Sequence, residues 1–181
     1  KSITTYIKNS PAGADAATAK LELFYNSCQP FFRIRMNSEF LMFQEGAKTI
    51  LIPASDLLWA YQQTTTHRTN GIKTGTSYSV LLKTRKGKMY STAVGNTLDS
   101  CQEFLHILHQ KMPHVILGYT KEWNKMYSKN RGQMIEISDE ILRSFQGASA
   151  SQESQPFQQS QEFQEQNLQE TVPDDDPFAS V

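Results

Sequence analysis

Basic residues are concentrated in one stretch of this sequence that contains no acidic residue. No Asp or Glu occurs between Asp56 and Asp99. Two hairpin ends are predicted in this stretch, and together they would place the charges on one rim of a sheet. A rim of one sign attracts phosphate groups or acidic peptides. We therefore predict that segments 64–76 and 83–88 bind an anionic partner through six residues: Arg68, Lys73, Lys83, Arg85, Lys86 and Lys88.

The same charges have a simpler interpretation, which the sequence leaves open. Lysine on an exposed strand edge hinders pairing with another sheet, and runs of charge are often only solvated. An unknown protein is the expected partner, and an anionic membrane surface is a further candidate. Nucleic acid is not expected, because aromatic residues on which bases could stack are not evident beside the basic group. A nucleic-acid-binding module is kept as an alternative.

Histidines are the other side chains that could do chemistry. His106 and His109 stand three residues apart in a predicted helix, and His67 lies in a polar segment. A metal centre needs three or four donors, and neither a His-Glu-x-x-His pattern nor a catalytic serine or phosphate-loop motif is present. Each histidine is expected on the surface or in a loop. We predict a protein that is not an enzyme and has no catalytic residue, metal or cofactor. A small metal-dependent or histidine-based hydrolase is the alternative.

Composition separates the chain into a basic body and an acidic end. Seven of the 18 acidic residues and none of the 18 basic residues follow Gln146, so the rest of the chain carries an excess of seven positive charges. The two cysteines, Cys28 and Cys101, are too few for a disulfide scaffold, and we expect buried, reduced thiols. No apolar run approaches the ~18 residues of a membrane span.

Helical patterns flank the centre of the sequence. Two short helices, or one broken helix, are predicted near the start of the chain: one from Ser2 to Lys8, and one after Gly13 with Asp15 as its cap. Apolar residues at three- and four-residue steps predict an amphipathic helix from Leu98 to Met112, capped by Asn96 or Thr97 and ended by Pro113. Thr120 is expected to cap a further helix, and Ser138 or Asp139 another.

The centre of the chain has the period of β-strands. Strands are predicted near residues 31–36, 40–43, 49–52, 57–63, 77–84 and 88–94, joined mostly by short turns. Asn70 and Gly71 are expected to turn a long hairpin, because both residues tolerate a positive φ. About six strands suffice to close a small barrel. The Leu98–Met112 helix would then cover the apolar interior of this barrel.

The last part of the chain is rich in Gln, Ser and Glu. Such a composition cannot bury enough apolar surface to offset the entropy of ordering, so we predict a disordered acidic tail over 147–181. We hypothesise that this tail covers the basic rim and competes with an outside ligand. The predicted divisions are a helical segment (1–29), a β-domain (30–118), a helical extension (119–146) and the tail.

With these elements placed, four motifs resemble a known family across residues 28–131. They are Ile52-Pro53-x-x-Asp56-Leu57-x-Trp59-x-Tyr61, His67-Arg68-Thr69-Asn70-Gly71, Lys83-Thr84-x-x-Gly87-Lys88-x-Tyr90 and Leu117-Gly118-Tyr119. As a set they are similar to an uncharacterised family of bacterial domains related to pleckstrin-homology-like (PH-like) modules.

The resemblance implies an α+β fold: a PH-like antiparallel barrel or bent sheet of six to seven strands, capped by a C-terminal helix. It also implies a non-enzymatic interaction or scaffold role in a bacterial protein, in the cytoplasm or at the inner face of a membrane. Lipid-binding PH-like modules hold phosphates in a basic loop between their first two strands. Here that loop, Asn37-Ser38-Glu39, has no Lys or Arg, so phosphoinositide binding is not expected.

Overall fold

The computed structural model describes residues 3–152 of the chain. Two helices come first, α1 (Ile3–Lys8) and α2 (Ala14–Ser27). The residue before α2 is Gly13, with a φ of 87° and no side chain to cap the helix. Asp15, predicted as the cap, lies instead in the first turn of α2, where a carboxylate suits the positive end of the helix dipole.

The first sheet has three antiparallel strands, β1 (Arg35–Met36), β2 (Phe40–Glu45) and β3 (Lys48–Pro53), in that order. The Asn37 side chain accepts hydrogen bonds from the backbone N–H groups of Glu39 and Phe40, at 2.9 and 2.8 Å, and so fixes the first turn. Helices α1 and α2 cover one face of this sheet through a small core around Phe24, Phe40 and Leu51.

The second sheet contains the longest strands and has the order β6-β5-β4-β7. Strands β4 (Leu57–Thr69) and β5 (Ile72–Thr84) form one antiparallel hairpin, and β6 (Met89–Thr92) pairs with β5. The short strand β7 (Ile116–Leu117) pairs in parallel with Trp59 and Ala60. Asn70 and Gly71, with φ angles of 50° and 83°, turn the long hairpin as predicted.

Helix α3 (Leu98–Lys111) packs its apolar face beside the second sheet, and its opposite face is exposed. Thr97 caps it by accepting a hydrogen bond from Ser100 N at 3.2 Å, as predicted. Cys101, Phe104 and Leu108 of α3 are buried in a core to which both sheets contribute. The expectation that the apolar face of this helix packs against the strands is therefore confirmed. Cys28, by contrast, is partly exposed, so only one of the two thiols is buried.

The other face of the second sheet is covered by α4 (Lys121–Lys129) and α5 (Arg131–Gln152). Its core joins Leu58, Trp59, Tyr61 and Leu81 to residues of these two helices. A register shift between Leu57 and Trp59 places the neighbours Leu58 and Trp59 on the same side of the sheet, whereas Leu57 and Ala60 face the other core. Both faces of the sheet are thus buried where β4 begins, which explains the continuous apolar run from residue 57 to 61.

Several expectations need correction. The α+β class is confirmed, but the strands form two separate sheets, and no closed barrel is present among the described residues. Ser138 and Asp139 cap nothing, since α5 continues through them, and Ser138 is instead fully buried. Helix α5 also passes the predicted start of the tail at residue 147 and ends at Gln152. The remaining tail lies outside the described residues.

Thr120 caps α4 as predicted, with Trp123 N donating to Thr120 Oγ1 at 3.0 Å. Within the described part of the chain, none of the helices combines the length and the apolar character that crossing a bilayer requires.

Candidate functional site

The six predicted basic residues do not share one rim. Arg68 and Lys73 are paired near the tip of the β4–β5 hairpin. Lys83 and the β5–β6 turn lie at the other end of β5, and a strand rises ~3.3 Å per residue, which separates the two groups by about 30 Å. The expectation of a single rim is wrong because the polar segment between residues 64 and 76 is itself strand. The tip of the hairpin therefore lies far from the β5–β6 turn.

The β5–β6 turn is tied to the body by most of its charges. Arg85 Nη2 lies 2.7 Å from Asp139 Oδ1 and 3.2 Å from the Ser138 hydroxyl oxygen, both on α5. Lys86 Nζ lies 3.1 Å from Asp56 Oδ1. Arg85 therefore has a structural partner, as does Lys86, and Lys88 remains an exposed residue of this group.

Lys83 is enclosed rather than presented to solvent. The residue is only 7% exposed. Its ammonium lies over the rings of Trp59, Tyr127 and Tyr61. Burial lowers the pKa of this ammonium. Aromatic residues, which were not expected beside the basic group, are thus present there, but they surround a lysine of the same chain.

The distal part of the β4–β5 hairpin is the exposed portion of the predicted site. We call residues 62–79 the ribbon. Every residue from Gln63 to Thr74 is exposed. Inside the ribbon, His67 Nε2 lies 2.8 Å from the Ser77 hydroxyl oxygen on the opposite strand. Ile72, beside the tip, is 72% exposed. The ribbon therefore exposes two strands that pair with each other, and an apolar side chain lies near the turn between them.

The ribbon has unpaired edges on both sides. Strand β7 pairs with β4 only at Trp59 and Ala60. Strand β6 pairs with β5 only from Val80 to Lys83. Beyond these positions, the outward backbone N–H and C=O groups of both strands have no neighbouring strand among the described residues. Such edges are templates for the addition of another strand.

The histidines occupy three unrelated environments. His67 lies on the ribbon, whereas His106 and His109 line an open apolar groove of about 410 Å³ together with Ile116, Trp123 and Ile141. Between residues 3 and 152, no group of three His, Cys, Asp or Glu side chains is placed to hold a metal ion.

His114 lies in the turn between α3 and β7, in accord with the expected loop position, but it is buried, and its Nε2 lies 2.9 Å from Ala54 O. Burial lowers the pKa of His114, and Arg85 lowers it further, whereas the bond to Ala54 and the carboxylate of Asp139 act in the other direction.

Fold and site together define an α+β domain that projects a basic two-stranded ribbon. The chain belongs to DUF6709, a family described as a domain of unknown function, whose model matches residues 1–127. The match thus runs from the N-terminal helices into α4. Comparisons with curated proteins and with solved structures gave no match.

Proposed function

We propose that this protein is a non-enzymatic binding module that holds a partner protein through the ribbon. The observation that carries the proposal is that residues 63–74 of the ribbon are exposed on both faces, while the ribbon has unpaired edges on both sides. An isolated two-stranded hairpin is only marginally stable in water. A long ribbon kept outside the core therefore gains stability when a further strand or surface covers it.

Strand addition is the mode of binding that this geometry favours. A partner segment in extended conformation forms main-chain hydrogen bonds with a free edge, and side chains at alternate positions give specificity. The ribbon is rich in threonine, a residue suited to strands. Because its strands are already ordered and twisted, the partner segment alone has to be ordered on binding.

Charge decides the expected chemistry of the partner. Arg68 and Lys73 are cross-strand neighbours, and no acidic residue occurs from residue 57 to 98. An acidic segment would be attracted to this pair, and the attraction would weaken as salt is added. We therefore propose an extended acidic segment of another protein as the occupant.

The PH-like resemblance supports the same kind of role, because PH-like modules commonly bind proteins, peptides or lipid headgroups. Here the first interstrand loop, residues 37–39, is occupied by the hydrogen bonds of Asn37 and carries no basic residue. The proposal therefore places binding on the ribbon and not on that loop. A bacterial source and a cytoplasmic location, with the inner face of a membrane as a further candidate, are proposed on the resemblance alone.

Selection from a displayed peptide library tests the proposal without a known partner. The key variant joins Gln63 to Ser79, which face each other in the hairpin, through Asn-Gly and so removes the exposed part of the ribbon. Because the removed residues are largely outside the cores, we expect this variant to fold. The intact protein should enrich extended acidic peptides that the shortened variant does not bind.

Charge reversal supplies the matched comparison. Arg68→Glu combined with Lys73→Glu should weaken binding of an enriched peptide at least about tenfold, which corresponds to about 1.4 kcal/mol. Lys88→Glu reverses an exposed charge away from the ribbon and should leave the affinity unchanged. Enrichment that does not depend on the ribbon would overturn the proposal. Ribbon-dependent binding to duplex DNA or to phosphatidylserine vesicles, without any peptide, would also overturn it.

A further inference from the structure

The second sheet builds an aromatic enclosure around one ammonium group, away from the ribbon tip. Trp59 on β4 is the direct cross-strand neighbour of Lys83 on β5. Tyr61, two residues further along β4, lies on the same face of the sheet, because side chains alternate along a strand. Helix α4 then brings Tyr127 over that face. We call the rings of Trp59, Tyr61 and Tyr127 the cage.

The distances in the cage are those of cation–π contacts. Lys83 Nζ lies 4.4 Å from the ring centroid of Trp59, 4.7 Å from that of Tyr127 and 5.4 Å from that of Tyr61. A cation within ~6 Å of a ring centroid is attracted by the negative face of the ring, and most strongly when it is shielded from water. Three such faces converge on this nitrogen.

Conventional partners of the ammonium are few. Lys83 Nζ donates to Asn124 Oδ1 at 3.3 Å, and in the described part of the chain no carboxylate forms an ion pair with it. A buried charge is normally paired or neutralised. Here the negative faces of the rings take the place of a counter-ion. Aliphatic side chains have no such negative face and could not stabilise the charge.

The rings of the cage are themselves fixed in place. Trp59 is fully buried, and its Nε1–H donates to Gly118 O at 2.7 Å. The Tyr127 hydroxyl donates to Thr84 O at 2.9 Å. Tyr119, which is 53% exposed, stacks outside Trp59 with an interplanar angle of 15°. Because these supports do not involve the Lys83 side chain, they should persist when that side chain is removed.

We infer that the cage is a recognition site for a primary alkylammonium group, with the side chain of Lys83 as its resident occupant. In the intact protein Lys83 competes with any outside amine, so the site is closed. Once the Lys83 side chain is withdrawn or truncated, a lysine side chain or a small amine of the same shape would fill the site. This inference does not rest on the proposed role of the ribbon.

Truncation and rescue test the inference. Lys83→Ala removes the atoms that n-propylammonium can replace, and propan-1-ol is a neutral molecule of the same heavy-atom count. The melting temperature, followed by tryptophan fluorescence, should fall in the variant and should rise again with n-propylammonium in a saturable manner. Binding should be about tenfold tighter than that of propan-1-ol, since the rings attract only the charge. Sodium chloride at equal ionic strength controls for screening.

Two further proteins complete the experiment. The intact protein should not respond to n-propylammonium, and neither should Lys83→Met, whose side chain fills the space without a charge. An equal response to the amine and the alcohol would overturn the inference, as would a folded Lys83→Ala that responds to neither. Should Lys83→Ala fail to fold, the NMR signals of the Lys83 ε-methylene in the intact protein test whether its ammonium lies among the rings. They should be shifted upfield by the ring currents, and values typical of an exposed lysine would overturn the inference.

Discussion

Arg85→Met is expected to destabilise the fold, because this guanidinium connects the β5–β6 turn to α5. Arg85 bonds the Asp139 carboxylate and the Ser138 hydroxyl, and its side chain is only 19% exposed. Ser138 is fully buried and donates in turn to His114 O at 2.9 Å. The substitution therefore leaves a carboxylate without its cation and a buried hydroxyl with one bond fewer.

The expected loss is larger than that of a surface ion pair. An exposed pair contributes below about 1 kcal/mol, whereas hydrogen bonds to charged groups contribute about 1.5–3 kcal/mol. Asp139 is 43% exposed and Arg85 much less, so a loss of about 2 kcal/mol is expected in urea unfolding. Lys88→Met, an exposed basic residue of the same turn, should change the free energy of unfolding by less than about 0.5 kcal/mol.

A double-mutant cycle with Asp139→Asn measures the pair itself. The Arg85 bond lowers the pKa of Asp139. The stabilisation is therefore complete above the unfolded-state pKa of about 3.9 and is lost as the pH falls through it toward the folded-state pKa. If Arg85→Met cost no more than Lys88→Met, or if the cycle gave no coupling, Arg85 would be free to bind a partner and the structural assignment of this turn would be refuted.

Two further predictions concern a turn glycine and a buried histidine. Gly87→Ala and Gly46→Ala both place a side chain at positive φ (81° and 58°), which costs about 1–2 kcal/mol each. Of the two, only the Gly87 Cβ would meet another group, the Arg131 guanidinium at 2.7 Å. Displacing this guanidinium disturbs its contact with the Tyr127 ring, so Gly87→Ala should unfold at a lower urea concentration, and equal midpoints would contradict this. Burial lowers the pKa of His114, so below a pH of about 6.5 the unfolded chain binds a proton that the buried ring does not, and stability should fall with the pH. His114→Gln should flatten the dependence of unfolding free energy on pH between about 7 and 5, and an unchanged slope would show that another group titrates.

Local chemistry in the sequence was sufficient to predict many of the elements. Thr97 and Thr120 cap α3 and α4 as expected, because a hydroxyl satisfies a free N–H group at a helix start wherever the helix packs. Asn70 and Gly71 turn the hairpin because few other residues accept positive φ. The apolar stripe from residue 98 to 112 predicted a helix facing the core for the same reason, since its period depends only on the helix itself.

Candidate binding residues were harder to predict, because their roles depend on distant partners. The sequence identified the basic stretch but not that Arg85 meets Asp139, or that the ring of Tyr127 covers Lys83, since both contacts join residues more than 40 positions apart. The ribbon was predicted as a hairpin with a polar loop, whereas the strands continue to Thr69 and resume at Ile72.

The sequence by itself determined most of the helices, the turns and the alternation of strands, because caps, glycines and periodicity act within a few residues. Only the tertiary structure decided that two sheets form instead of a closed barrel and that α4 and α5 cover the second sheet. It also decided which basic residues form ion pairs within the domain. The physical reason is that strand pairing and helix docking are chosen by the total burial of apolar surface. That total depends on residues far apart in the chain, such as Trp59, Tyr127 and Met134.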